Sequence, residues 1–172
     1  MRDSQIEEYA SKLTLAPKFR FSEWPNTSIP RIAPGVYAVY DENDKFLYVG
    51  MAGANLDNSR IEELSKIPGR QSGLFDRLSF HASGSRSGDR FNIYICDLFV
   101  LKNLTETQID AISNQTLSLD PIIKEFIRTK LCYRYLVTEN TVVRELEDYI
   151  QRNGLRGELP SINGKNSQEG TL

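Results

Sequence analysis

Residues 35–50, GVYAVYDENDKFLYVG, constrain the fold of this chain more than any other stretch. Two short apolar runs flank a polar centre of turn-forming residues, the pattern of a β-hairpin. A turn centred between Glu42 and Asn43 sets Tyr37 opposite Tyr48, Val39 opposite Phe46 and Tyr40 opposite Lys45. Side chains alternate along a strand, so Tyr37 and Tyr48 share one face as direct cross-strand neighbours. Val36, Ala38, Leu47 and Val49 form the other face, suited to packing against helices. An aromatic pair of this kind is commonly a sheet-stabilising contact and nothing more.

The rest of the chain supplies the helices. Ile6, Tyr9, Ala10 and Leu13 share one face of a helix near the N-terminus, and a proline-rich arm leads from it into the hairpin. Residues 53–73 read as a polar loop. The segment GLFDRLSFHASG, bracketed by Gly73 and Gly84, reads as a helix. DRFNIYICDLFVL is apolar all round, and its pattern does not separate strand from helix. TETQIDAIS and DPIIKEFIRTKL are helical, the second with Asp120 as N-cap and Pro121 at its first position. CYRYLVT is a strand, and Asn140 caps a last helix that Gly154 ends. The expected architecture is α/β, a small and mostly antiparallel sheet flanked by helices. Residues 1–32 form a helix and arm, residues 33–165 one domain with a helical insertion at about 85–131, and residues 166–172 a disordered tail.

Composition narrows the function. Hydrophobic residues make up 40% and charged residues 26%, as in ordinary globular domains. No apolar run approaches the roughly 20 residues that span a bilayer, and the charged start is neither a signal nor a transit peptide. A cytoplasmic protein without membrane partners is expected. Cys96 and Cys132 lie in apolar runs and read as buried free thiols. The single histidine, His81, excludes sites that need two, including two-histidine zinc fingers and HExxH hydrolases. With a net charge of −2, any nucleic-acid contact must rest on a local basic patch.

On the helix containing Leu74, Phe75, Leu78 and Ala82 as its apolar stripe, Arg77 and His81 stand four apart at the stripe's edge. From there a cation can reach over the adjoining sheet while its stem is buried. On the last helix Glu145 and Glu147 flank the stripe of Val142, Val143, Leu146, Tyr149 and Ile150 almost equally, so geometry chooses neither. Asn163 precedes Gly164 and by itself is a turn residue.

Gly35-Val36-Tyr37, ten residues, then Tyr48-Val49-Gly50 resembles the signature of the GIY-YIG nuclease family. The resemblance covers residues 33–84 and 132–165. It implies a metal-dependent endonuclease in which Tyr37, Tyr48, Arg77, Glu147 and Asn163 are the site residues. His81, four after Arg77, resembles a restriction-enzyme-like branch. Arg60 and Arg70 are rivals for the arginine. The family pattern Leu-Glu-x-x-Ile matches LEDYI at Glu147, with Glu145 as runner-up. Met51 and Ala52 depart from the family, as does the loop lengthened by RGEL before Asn163.

Phosphodiester hydrolysis needs a positioned water, a path for its proton, and charge compensation at phosphorus and the leaving oxygen. Glu147 is expected to hold Mg2+ or Mn2+, and Arg77 to brace the phosphate with its planar donors. Tyr37 is expected to take the proton with His81 as relay, since a free tyrosine with a pKa near 10 is a poor base. Tyr48 is expected to position the water or the phosphate. Residues 58–92 carry six cations against four carboxylates. Among these Arg70, Arg86 and Arg90 are the expected DNA contacts. The strandedness of the DNA is open, as is the choice between a monomer and a homodimer. A non-catalytic nucleic-acid-binding module on the same fold is the alternative, and the complete set of family residues argues against it.

Overall fold

The computed structural model describes residues 2–163. The expected disordered tail lies outside them. The chain folds as an α/β protein built on a four-stranded antiparallel sheet. In chain order the elements begin with α1 (Arg2–Leu15), β1 (Phe19–Arg20), β2 (Ile32–Ala33), β3 (Gly35–Asp41) and β4 (Phe46–Ala52). Next come α2 (Asn58–Ser65), β5 (Ser72–Gly73), α3 (Leu74–Ser83) and α4 (Arg90–Ile95), which runs on as a wider π turn through Val100. The last are α5 (Glu106–Ser113), α6 (Leu119–Lys130), β6 (Leu131–Val137) and α7 (Val143–Asn153). Strand order in the main sheet is β1-β6-β3-β4, while β2 and β5 form a small parallel pair beside it.

Alternation along β3 divides the core into two layers. Val36, Ala38 and Tyr40 pack with Ile6, Ala10 and Leu13 of α1 and with Val143, Leu146 and Ile150 of α7. Tyr37 and Val39 face the opposite way, onto Leu74, Leu78 and Ala82 of α3, Phe91 and Ile95 of α4, and Ile123 and Ile127 of α6. Both cysteines are buried and free, as expected. Among the described residues no helix is long and apolar enough to cross a membrane.

The hairpin register differs from the symmetric one. Asp41 turns its carboxylate back onto the chain, and Oδ1 accepts hydrogen bonds from the amides of Asn43 and Lys45, each at 2.9 Å. Asp44 takes a left-handed backbone with φ of +66°, which aspartate tolerates better than most residues. The loop is thus Glu42-Asn43-Asp44, closed by Asp41 and Lys45. A bulge follows between the Tyr40–Phe46 and Val39–Tyr48 pairs, leaving Leu47 as an extra residue in β4. Phe46 therefore joins the α1–α7 layer, and Leu47 and Tyr48 both join the α3 layer. Tyr37 stands opposite Gly50 and Tyr48 opposite Val39, so the two tyrosines are diagonal neighbours and not a direct pair.

Three helix starts also differ. The polar loop contains α2, capped by Asp57 through the Arg60 amide. The N-cap of α6 is Ser118, with Asp120 inside the first turn, and that of α7 is Val142, while the Asn140 amide reaches the Ala54 carbonyl. The stretch after Asp89 is helical, which settles the ambiguity of its all-round apolar pattern.

Candidate active site

Gly50 explains why Tyr37 sits where it does. The phenol ring crosses directly over this glycine, where a Cβ would lie 2.3 Å from the Tyr37 hydroxyl and 2.6 Å from the ring carbon that bears it. Gly35 meets the same kind of limit, since a Cβ there would come within 2.2 Å of the Leu136 carbonyl oxygen. Gly50→Ala should cost about 1–3 kcal/mol of stability, the usual range for overpacking a core. It should also displace the Tyr37 hydroxyl. Denaturant unfolding measures this, and an unchanged midpoint would contradict the packing described.

Beneath the sheet Tyr37 and His81 are both 1% exposed. The hydroxyl lies 2.7 Å from His81 Nε2, and His81 Nδ1 lies 2.6 Å from Asp89 Oδ2. Asp89 is itself 3% exposed, and its other carboxylate oxygen accepts the Phe91 amide at 3.0 Å. Phe91 stacks near His81 with ring centroids 4.4 Å apart and packs against Tyr48 at 5.2 Å. The segment read as an insertion therefore supplies two residues to the site, Asp89 and Phe91. In the sequence Asp89 is simply one of the four carboxylates of residues 58–92. Its one local signal was an acidic residue just ahead of an apolar helical run, the position of an N-cap.

Burial is the main force on the titrating groups. It pushes the Tyr37 hydroxyl well above its ordinary range, helped by the charge of Tyr48 and opposed by Arg77. Tyr48 is half-buried and pushed up to about 12, first by desolvation and then by the carboxylates of Glu147 and Asp89, again against Arg77. Burial holds His81 below its usual value, although the hydrogen bond and charge of Asp89 pull the other way. The neutral forms of all three are favoured in the protein alone.

Arg77 is exposed and lines a cleft of about 280 Å³ with Ala52, Gly53, Phe80, Gly88 and Asp89. Its charge acts on Tyr37, Tyr48 and His81 alike. The rivals stand elsewhere: Arg60 pairs with Glu63 at 2.5 Å on α2, and Arg70 is exposed outside the cleft. Glu145 and Glu147 are both half-buried on α7. The charges of Glu147 and Asp89 both act on the two tyrosines.

Asn163 is 6% exposed and braces β4. Its amide donates to the Val49 carbonyl at 2.8 Å and accepts the Val49 amide at 2.9 Å. Ser161 and Ile162 continue this pairing with Phe46 and Leu47, covering the outer edge of the strand. Its side chain thus holds the strand that carries Tyr48 and Gly50. Arg86 donates from Nε to Asp120 Oδ1 at 2.7 Å. Arg90 is exposed at the first residue of α4.

Among the described residues no group of three or more His, Cys, Asp or Glu side chains could hold a metal. Of the two carboxylates that act on both tyrosines, Asp89 is engaged by His81 and the Phe91 amide; Glu147 is the other, and one carboxylate is a sufficient protein anchor for a hard cation that keeps its waters and binds phosphate oxygens. The donor set fits Mg2+ or Mn2+ on those terms. No family model matches the chain, and neither the curated proteins nor the solved structures yield a match.

Proposed function

We propose that this chain is a metal-dependent endonuclease that hydrolyses DNA phosphodiester bonds. The observation that carries the reading is the buried Tyr37–His81–Asp89 hydrogen-bond chain, whose Asp89 end lines a cleft together with Arg77. A tyrosine held at 2.7 Å from an imidazole nitrogen can pass a proton on as it receives one. That answers the difficulty of a phenol whose own pKa is raised, because no free phenolate has to persist.

In the proposed reaction a water oxygen attacks phosphorus and one phosphorus–oxygen ester bond breaks, its electron pair going to the leaving oxygen, which takes a proton from solvent. The water's proton passes to the Tyr37 oxygen while the Tyr37 proton passes to His81 Nε2. Arg77 binds two phosphate oxygens at once through its planar donors. Tyr48, half-buried beside His81 and Phe91, orients the water or the phosphate. Mg2+ or Mn2+ held by Glu147 would supply positive charge for the phosphate oxygens and the leaving group. Phe91 and the α3 layer keep bulk water from the proton path.

Arg77→Lys should be severely impaired although its charge is kept, since lysine lacks the two-pronged geometry. Near-parental turnover in that variant would mean that charge alone suffices. Affinity for DNA should be modest and should fall with salt, given the small local excess of cations. The reading itself is tested with supercoiled plasmid and single-stranded DNA, each with Mg2+ or Mn2+ and again with EDTA. Nicks or breaks that require the cation are expected. Intact DNA under every condition would contradict the reading.

A further inference from the structure

Asp89 reaches His81 from a fixed position. Gly84 ends α3 with a left-handed φ of +72°, and the chain folds back so that Asp89 becomes the N-cap of α4. Asn92, fully buried, ties this return loop down by donating to the Phe80 carbonyl at 3.1 Å and the Ser85 carbonyl at 2.8 Å. One Asp89 oxygen is held by the Phe91 amide, which leaves the other aimed at Nδ1.

An ionised carboxylate only accepts hydrogen bonds, so the Nδ1 that meets it must carry the proton. In a neutral ring Nε2 is then a lone pair, and the Tyr37 hydroxyl must be its donor. We infer that Asp89 is a positioning residue of the site: it locks His81 in the Nδ1–H tautomer, and this makes the ring a one-way acceptor for the Tyr37 proton. The inference rests on the nuclease reading proposed above. During hydrolysis the proton that reaches Nε2 makes an imidazolium, which the Asp89 carboxylate stabilises without becoming protonated. After product leaves, the proton returns through Tyr37 to solvent.

Asp89→Asn is the test, performed on the full chain. Asparagine is as good an N-cap as aspartate, so the Phe91 amide keeps its acceptor. Its NH2 group then faces Nδ1 and can only donate, which drives the proton to Nε2 and turns that nitrogen into a donor toward Tyr37. Because the chain has one histidine, 15N side-chain NMR reads the tautomer directly without needing activity. The parent should show Nδ1–H and the variant Nε2–H. In steady-state cleavage the variant's kcat should fall on the order of 10⁴-fold with KM little changed, by analogy with the wrong-tautomer effect in serine protease triads. A parent ring in the Nε2–H form would overturn the inference, whether or not Asp89→Asn folds. So would a variant that switches tautomer and still cuts at the parental rate, or one that loses only KM. A parent that shows Nδ1–H but cuts no DNA would overturn the nuclease reading, and with it any part for Asp89 in catalysis.

Discussion

Glu147→Gln should abolish cleavage and leave the fold intact. The substitution preserves the length and packing of a half-buried side chain on α7, between Leu146 and Ile150 of the core, and removes only the charge. Two consequences separate the loss from unfolding. The midpoint of thermal unfolding should move little. The hydroxyl of Tyr48, now pushed up to about 12 with Glu147 as the second cause, should titrate lower once that carboxylate is neutral. Glu145 lies in the first turn of α7, where a negative charge favours the helix by about 0.3–1 kcal/mol. Glu145→Gln should therefore lose a little stability and keep its activity. An inactive Glu145→Gln beside an active Glu147→Gln would assign the cation to the wrong carboxylate.

Tyr37→Phe should slow cleavage on the order of 10²-fold or more, the usual scale for a lost proton-transfer group. The ring can stay over Gly50, so the core layer it fills with Leu78 and Phe91 is retained. Stability should still fall by about 1–3 kcal/mol, because His81 Nε2 is left as a buried acceptor with no donor. The same change at Tyr48, which is half-buried, should be milder on stability.

Much of this arrangement was legible because it is periodic. The stripe on α3 that seats Leu74, Leu78 and Ala82 put Arg77 and His81 at its margin; the structure leaves Arg77 exposed on the cleft and buries His81 with the stripe. Strand alternation assigned Tyr37 and Tyr40 to opposite faces, as they are found. What escaped was decided by side chains that bond to backbone. The Asp41 carboxylate and the left-handed Asp44 lengthen the turn, and the Leu47 bulge shifts the register again, so Tyr37 came to face Gly50. Helix α2 buries only Leu64, too little for an apolar period to show. Asp120 looked like a cap but serves Arg86 from 34 residues away, and no local pattern encodes such a pair. Asp89 was hidden for a related reason: its partner lies eight residues earlier, across the reversal at Gly84, and only burial turns the two into a unit.

The central claim, that the Tyr37 hydroxyl takes part in chemistry and does not merely pack, is met most directly by single-turnover cleavage with Tyr37→Phe and Tyr40→Phe side by side. Both tyrosines lie on β3, and both are buried, but Tyr40 packs in the α1–α7 layer on the far face of the sheet. With one DNA substrate and saturating Mg2+, Tyr37→Phe should be slower by 10²-fold or more, while Tyr40→Phe should match the parent. Equal and small effects at the two positions, in a protein that cuts DNA, would contradict the account.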